Sequence, residues 1–260
     1  MLVLGVENNK KYMNALYVLW LRQIKKQFRS KPRMLGSLGQ PLLFLLAFGF
    51  GFGPIFARAG DGNYISFLAP GVIGMAIIFS AMFSGIEVIW DRQFGFLKET
   101  LVAPVSRIYI ALGRTFGGAT IALFQGCVVF VISLFVGFHP VSWNVLPLVF
   151  IMMTMIATLF TAFGTAIASR MRDMQAFPLI MNFVMMPLYF LSGSLFPITG
   201  LPSGLAVIVK LNPLSYGMDG LRGLLTGVHH FSLFTDFSVI SILTTIMLIL
   251  ATISFNNIEA

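Results

Sequence analysis

Charged side chains are scarce in this sequence, and one group of them, between residues 87 and 107, forms an island between two long apolar runs. Within it, apolar residues at positions 94, 97 and 101 recur at helical spacing, which predicts a short amphipathic helix over about residues 91–104 that ends at a proline. Such a helix either docks against another protein or lies on lipid headgroups, and periodicity does not separate the two. The residues of this segment that either role would involve are Asp91, Arg92, Phe94, Leu97, Lys98, Glu99, Leu101 and Pro104.

No arrangement of residues for catalysis is visible in the sequence. Ser192 and Ser194 are possible nucleophiles, but the histidines, at positions 139, 229 and 230, fall in predicted outer loops or at a hairpin end, out of reach as bases. Two adjacent histidines without nearby cysteines or carboxylates do not predict a metal site. The phosphate-binding pattern G-x-x-x-x-G-K-[ST] is also absent, so we expect neither a nucleotide site nor enzyme activity in this sequence.

Composition indicates that lipid is the solvent for most of the chain. Of 260 residues, 57% are hydrophobic and 10% are charged, and the mean hydropathy is +0.90. Soluble domains carry roughly 25% charged residues. The net charge of +8 does not point to nucleic acid, because the basic residues flank apolar segments. Cys127 is the single cysteine and has no disulfide partner within the chain.

Apolar runs long enough to cross a bilayer core of about 30 Å predict an all-α integral membrane protein with six transmembrane helices. We expect Pro70-Gly71 to break the second of these helices. The predicted spans are residues 34–56, 64–89, 108–137, 145–169, 176–195 and 237–255.

The segment before the first span is basic and amphipathic. Residues 10–33 place aromatic and aliphatic side chains on one helical face and basic side chains on another, which is typical of a helix in the membrane interface; a solvated basic tail is the alternative. We expect this helix to end at Pro32 and no cleavable signal peptide. Residues 1–33 are thus predicted to form an interfacial segment and residues 34–260 a membrane domain. The candidate functional residues of the N-terminal segment are Trp20, Arg22, Lys25 and Lys26.

Between the fifth and sixth spans the sequence is apolar but interrupted by proline and glycine. Residues 201–211 and 214–225 are each too short to span, and Asn212-Pro213 separates them. The pattern predicts a re-entrant helical hairpin over about residues 197–230, whose depth requires burial in protein or contact with water. Asp219 and Arg222 lie three residues apart, a spacing that allows them to pair and hold the hairpin; an outside gate is the alternative.

Orientation follows from the basic residues. Most of the 17 lysines and arginines fall on the side of the N-terminal segment and the amphipathic helix, so both termini are predicted to be cytoplasmic and the hairpin to lie outside. Glu87, the one acid within a predicted span, is either a functional group or an interfacial one within reach of Arg92. Arg114 is expected to reach the cytoplasmic interface with its long side chain.

Two stretches resemble the permeases of type-2 ABC exporters. Residues 96–114, FLKETLVAPVSRIYIALGR, resemble that family's cytoplasmic segment between its second and third spans, although Gln93 stands where a second charge is usual. Residues 191–223, with LSGSLFPITGLP and LNPLSYGMDGLRG, resemble the family's segment after the fifth span. The order and spacing of the two stretches are most similar to drug- and polysaccharide-export permeases of the daunorubicin-resistance and nodulation type.

The resemblance implies a type V exporter-like fold in a bacterial inner membrane. It implies a permease homodimer, or a heterodimer with a related permease, docked to two copies of an ATP-binding cassette subunit that binds ATP and Mg²⁺. Residues 91–104 would be the coupling helix, residues 10–33 the connecting helix, and the hairpin the extracellular closure of the exit. The cargo would be an amphipathic drug, a lipid-linked molecule or a polysaccharide.

A path for cargo is expected at the seam of the permease dimer, lined by the first, second and fifth spans. A stand-alone ion-coupled carrier or a non-transporting membrane scaffold is the alternative; the former usually shows buried acids near the bilayer midplane. The candidate path or gate residues are Glu87, Asn182, Tyr189, Ser192, Asn212, Asp219 and Arg222.

Overall fold

The computed structural model describes residues 2–59, 64–102, 105–196 and 202–258, and every regular element in these ranges is helical. A single 3-10 turn, Trp143–Val145, precedes α7. The helices are α1 (Leu2–Arg29), α2 (Lys31–Ala59), α3 (Tyr64–Phe83), α4 (Ile86–Gln93), α5 (Phe96–Val102), α6 (Arg107–Phe135), α7 (Leu146–Arg170), α8 (Ala176–Phe190), α9 (Ser203–Leu211), α10 (Pro213–Thr226) and α11 (Leu233–Asn256).

Five helical segments in the described residues are long and apolar enough to cross a membrane. They correspond to every predicted span except the fifth. In its place stands α8, whose 15 residues extend for only about 22 Å at about 1.5 Å per residue. The five segments are Met34–Gly53, Tyr64–Gln93, Arg107–Phe135, Trp143–Arg170 and Leu233–Asn256.

The end of the N-terminal helix differs from the prediction. α1 ends at Arg29, and α2 begins at Lys31 after a single non-helical residue. Pro32 therefore lies in the first turn of α2 instead of terminating α1. Proline is well suited to a first turn, because its missing N–H would have no helical partner there.

The second predicted span is helical through Pro70, so the expected break at Pro70-Gly71 is wrong. The chain instead turns at residues 84–85, between α3 and α4. A Cβ built on Gly85 would lie 2.5 Å from the carbonyl oxygen of Gly164, and one built on Gly164 would lie 2.4 Å from that of Met82. The two glycines allow α3, α4 and α7 to approach at backbone distance.

The predicted amphipathic helix is two helices. α4 ends at Gln93, and Gly95 adopts φ = 79° before α5 begins, a conformation that only glycine adopts readily. Phe94 lies in this turn and is 70% exposed, so it does not continue the apolar stripe of Leu97 and Leu101. Pro104 lies outside the described residues.

α3 and α7 form the centre of the bundle. Leu68, Ile73 and Ile77 of α3 are fully buried, and α7 packs against α3, α6 and α11. α1 lies along α6. In contrast, only 22% of the residues in the most apolar stretch of Met34–Gly53 and 17% of those in the most apolar stretch of Leu233–Asn256 are buried. These two helices therefore present apolar surface to lipid or to another chain.

The prediction of two half-length helices around Asn212-Pro213 is confirmed by α9 and α10. α10 packs against α3, α7 and α11, whereas α9 is mostly exposed. Residues 197–201, where the predicted hairpin begins, lie outside the described part of the chain.

Candidate functional site

The carboxylate of Asp91, near the end of α4, joins three helices. It accepts hydrogen bonds from Nη1 and Nη2 of Arg22 on α1, at 3.2 and 3.3 Å, and from Nη2 of Arg114 on α6, at 2.7 Å. Asp91 is only 4% exposed. A charged group so well covered requires such partners, because desolvation of an unpaired charge is costly.

Contrary to the prediction from the sequence, the side chain of Arg114 does not extend to an exposed interface. It is 4% exposed, pairs with Asp91, and its guanidinium carbon lies 5.9 Å from the centre of the Phe255 ring on α11. The sequence signal for this role is an arginine inside an apolar span. Intramembrane charges generally pair inside the bundle, as here.

Glu87 lies one turn before Asp91 and is 5% exposed. Its carboxylate lies 3.5 Å from Nζ of Lys26, and this ion pair joins α4 to α1. Lys26 also lies 5.5 Å from the centre of the Trp90 ring on α4. Two successive turns of α4 are thus each held by a basic residue of α1.

Arg92 connects α4 to the end of α7. Its Nη2 donates to the carbonyl oxygen of Ser169 at 2.9 Å and its Nη1 to that of Met171 at 2.8 Å. These acceptors are backbone groups, so sequence patterns gave no signal for them. We call Arg22, Lys26, Glu87, Asp91, Arg92 and Arg114 the polar hub. Through it, α4 is joined to α1, α6 and α7.

α5 presents a mixed surface next to the polar hub. Leu97 is fully buried and anchors the helix, while Lys98 and Glu99 are exposed. Phe96 is 49% and Val102 84% exposed. The result is a short helix with one anchoring side chain inward, and with apolar and charged side chains outward, which is a composition suited to contact with another protein.

α1 packs against α6, and of the residues singled out from the sequence, Trp20 takes part in this contact. Nε1 of Trp20 donates to the hydroxyl of Thr120 at 3.0 Å, whereas Lys25 is exposed. A Cβ on Gly113 would lie 2.9 Å from the carbonyl oxygen of Leu16. α1 is therefore packed against the bundle at least in this region and is not a solvated basic tail.

At the opposite end of α6, charged residues bind the backbone. Asp219 accepts from the backbone N–H groups of His230, at 2.8 and 2.9 Å, and Phe231, at 2.7 Å. Nη2 of Arg222 donates to the carbonyl oxygens of Gly193 and Ser194, at 2.8 and 3.1 Å. The predicted Asp219–Arg222 pair is wrong, since no ion pair joins these two described residues.

The other candidate path residues do not share one surface. Asn182 is exposed on α8, whereas Tyr189 and Ser192 are buried. The Tyr189 hydroxyl donates to the Gly71 carbonyl at 3.2 Å. Asn212 accepts from the N–H of Leu214 at 3.0 Å, which caps α10, and its amide donates to the carbonyl of Leu188 at 2.7 Å. We call Tyr189, Ser192, Asn212, Asp219 and Arg222 the distal cluster.

Within the described ranges, no group of three or more histidine, cysteine, aspartate or glutamate side chains could hold a metal ion. The polar hub joins α4 to α1, α6 and α7 through buried charges and backbone contacts. Long apolar helices and buried, paired charges define a helical integral membrane protein.

Comparison with known proteins identifies the family. The profile of the ABC-2 type transporter family matches residues 14–226, so the chain belongs to that family. The chain is 30% identical over 237 residues to the inner membrane transport permease YadH of Escherichia coli K12, covering 88% of this chain and 90% of YadH. It is 27% identical over 196 residues to nodulation protein J of Rhizobium leguminosarum bv. trifolii, covering 75% and 74% of the two chains.

Family membership identifies the chain as a transport permease of the membrane. Permeases of this family are normally not catalytic themselves and generally work with a separate ATP-binding subunit. The resemblance inferred from residues 96–114 and 191–223 is confirmed at the level of the family.

Proposed function

We propose that this chain is the transmembrane subunit of an ATP-driven exporter. It moves an amphipathic drug, a lipid-linked molecule or a polysaccharide out of the cytoplasm or the inner leaflet of a bacterial inner membrane. Two copies, or one copy and a related permease, pair in the membrane and bind two ATP-binding cassette subunits, which hold ATP and Mg²⁺. Cargo passes at the seam between the permeases.

The observation that carries this proposal is the attachment of α5 to the polar hub. α5 exposes Lys98, Glu99 and Phe96 while Leu97 holds it to the bundle. α4 is separated from α5 by two residues, and α4 is bound by α1, α6 and the end of α7. A displacement of α5 by an ATPase is therefore transmitted to three helices at once, as a coupling helix requires. Rigid elements linked by packed and paired side chains move together.

α1 serves as the connecting helix in this account. Arg22 and Lys26 place it on α4, and Trp20 places it on α6. α1 thus braces the helix that leads into the coupling segment. Lys25, exposed beside them, is available to the ATPase or to lipid headgroups.

Side-chain contacts between helix ends support six crossings with both termini on the cytoplasmic side. Nη1 of Arg107, at the start of α6, donates to the carbonyl of Asn256, at the end of α11, at 2.6 Å. Arg92 likewise joins the end of α4 to that of α7. The end of α7 thus lies near the end of α4, and the end of α11 near the start of α6, so α7 and α11 end on the same side of the membrane. The chain between the end of α7 and the start of α11 must therefore cross the membrane once more. α8 supplies that crossing, and α9 and α10 form a re-entrant hairpin of a type V exporter-like fold.

A charge reversal on α5 tests the coupling role. The chain is produced together with its ATP-binding cassette partner, either unchanged or with Lys98→Glu and Glu99→Lys combined. We expect the reversal to lower complex assembly or permease-dependent ATP hydrolysis about tenfold, which corresponds to about 1.4 kcal/mol. The control is Lys210→Glu, an exposed lysine at the end of α9. Unchanged assembly and hydrolysis in the reversed variant would contradict the proposal.

A further inference from the structure

A cavity of about 290 Å³ lies where the ends of α4, α7 and α11 meet. Its lining is mostly polar, and the charged side chains in it are those of Arg92, Arg170 and Arg172. No carboxylate from the described part of the chain lines it. The charged side chains of this wall therefore all have one sign, whereas the basic residues of the polar hub face carboxylates.

The helix ends alone do not account for these arginines. The last carbonyl groups of a helix lack helical partners and carry about half a negative charge, which favours nearby cations. At the end of α7, Arg92 already donates to two backbone carbonyls, and at the end of α11 the same is true of Arg107. Arg170 and Arg172 are thus cations beyond those that bind the two helix ends.

Arg170 is an accessible cation of this cavity. It lies in the last turn of α7, is exposed, and makes no hydrogen bond or ion pair with another described side chain or backbone group. Arg172 is exposed as well, and its charge acts on Arg92 with the same sign. Guanidinium groups are donors only, and their planar fork matches the oxygens of a phosphate. The wall therefore suits an anion.

α11 connects the cavity to the lipid phase. Ile246, Leu250 and Ile253 are 44%, 43% and 50% exposed. Together with Asn257, which lines the cavity, they follow one another at spacings of four, three and four residues. Such spacings place side chains on one helical face. An acyl chain lying along this face ends at the cavity, so the anion that the structure favours is the headgroup of a lipid.

The size of the cavity fits a headgroup and not a whole lipid. At about 30 Å³ per water molecule, its 290 Å³ correspond to about ten waters. Sites for drug-sized ligands occupy roughly 300–1,000 Å³, so the cavity is at the lower limit of that range. A phosphate with a small substituent is accommodated, while the acyl chains remain on the surface of α11.

We infer that this cavity binds the phosphate of an anionic phospholipid, with the headgroup at Arg170 and Arg172 and an acyl chain along the exposed face of α11. Basic pockets between transmembrane helices are suited to such headgroups. The bound phosphate offsets the repulsion between the cations where Arg92 joins α4 to α7. The site goes beyond the proposed export function and does not depend on an ATPase.

The test uses the purified full chain without an ATPase. Binding of dioctanoyl phosphatidylglycerol is measured by native mass spectrometry for the unchanged protein and two pairs of variants. Arg170→Gln removes the accessible cation, and Arg29→Gln is its control, because Arg29 is also an exposed arginine in the last turn of a long helix but is not in the lining. Asn257→Phe fills the cavity without a change of charge, and Asn256→Phe is its control, being exposed but outside the lining.

We expect Arg170→Gln and Asn257→Phe to weaken binding at least tenfold, while Arg29→Gln and Asn256→Phe bind like the unchanged protein. The lipid should also raise the thermal unfolding midpoint of the unchanged protein and of both controls, because a ligand stabilises the state that binds it. Equal affinity in all five proteins would overturn the inference. Dioctanoyl phosphatidylcholine has no net charge, and binding as tight as that of phosphatidylglycerol would overturn it too.

Inorganic phosphate tests whether the site serves the membrane. We expect it to bind at least tenfold more weakly than the lipid, because it makes no contact with the apolar face of α11. Phosphate that binds as tightly as the lipid would contradict the assignment to a phospholipid. Since none of these measurements involves ATP hydrolysis, a failure here is separate from a failure of the coupling proposal.

Discussion

The polar hub and the distal cluster hold their charged residues in different ways. In the polar hub, Asp91 binds Arg22 and Arg114, which belong to two other helices. In the distal cluster, Asp219 and Arg222 lie within one helix and do not bind each other; Asp219 binds backbone N–H groups and Arg222 backbone carbonyls. Charged side chains thus mainly bind one another across helices in the polar hub, where Arg92 is the member that binds backbone carbonyls, and they bind only backbone groups in the distal cluster, where they fix connecting segments onto a helix.

The difference has a mechanical consequence. Ion pairs between side chains can be exchanged or lengthened as helices shift, because both partners have rotatable chains. Contacts to backbone groups fix the path of the chain itself, as at Gly193 and Ser194 under Arg222. We therefore expect the polar hub to transmit movement and the distal cluster to keep its local shape while the bundle rearranges.

The largest expected effect is at the centre of the polar hub. Asp91→Asn leaves Arg22 and Arg114 without their carboxylate, and breaking a buried ion pair costs about 3–5 kcal/mol. The free energy of unfolding, measured by denaturant titration in mixed micelles, should fall by this amount. Glu99→Gln, on exposed α5, is the control and should stay within about 0.5 kcal/mol. If Asp91→Asn behaved like the control, the polar hub would not be a buried charge network.

A somewhat smaller loss is expected in the distal cluster. Arg222→Gln replaces the single charged Nη2 group that donates to two backbone carbonyls by a neutral amide, and the loss of charge-assisted bonding at this one group costs about 1.5–3 kcal/mol. It also removes the contact with Phe67, whose ring centre lies 4.1 Å from the guanidinium carbon. We expect lower unfolding stability and faster proteolysis near residues 191–196. Lys210→Gln serves as the exposed comparison, and equal proteolysis of the two variants would contradict this prediction.

The close approach of the Gly71 backbone to Ser194 in the distal region gives a third stability test. A Cβ on Gly71 would lie 2.3 Å from the carbonyl oxygen of Ser194, so Gly71→Ala forces α3 away from the segment that Arg222 binds. Overpacking of this kind costs about 1–3 kcal/mol. Gly39→Ala, which meets no neighbour, should leave thermal unfolding unchanged or raise its midpoint slightly. A stable Gly71→Ala protein would show that this contact is loose.

The smallest effect separates the two regions most sharply. In a double-mutant cycle, Asp219→Asn and Arg222→Gln should be additive within about 0.5 kcal/mol, because the two side chains have separate partners. The matched cycle of Asp91→Asn and Arg114→Gln should show a coupling energy of about 1–3 kcal/mol. Coupling of equal size in both pairs would remove the distinction between the regions.

Much of the helix pattern was predictable, because long apolar runs report on membrane crossing without knowledge of partners. Asn212-Pro213 likewise marked the boundary of α9 and α10, since its signal is local. The breaks that were missed depend on contacts far along the chain. Pro70 stays inside a helix, while the actual turn is at Ser84-Gly85, beside Gly164. A Ser-Gly pair is a local turn signal, but inside an apolar run it is weaker than Pro70-Gly71.

The candidate site was predictable in residue type but not in partnership. The charged segment near Asp91 was marked by composition, and its attachment to Arg22 and Arg114 was not, because these residues lie 69 and 23 positions away. Arg92 was missed as an anchor of α7 because its acceptors are backbone carbonyls, which every residue carries. The docking role of Lys98 and Glu99 stays a prediction.

The most direct test of the central claim is site-specific photo-crosslinking in a working complex with the ATPase. A benzophenone amino acid is placed at Phe96, which is 49% exposed on α5, and separately at exposed Lys210 on α9. We expect a covalent adduct with the ATPase from position 96 and none from position 210. An adduct from position 210, or none from position 96 in a complex that still hydrolyses ATP, would contradict the assignment of α5 as the contact with the motor subunit.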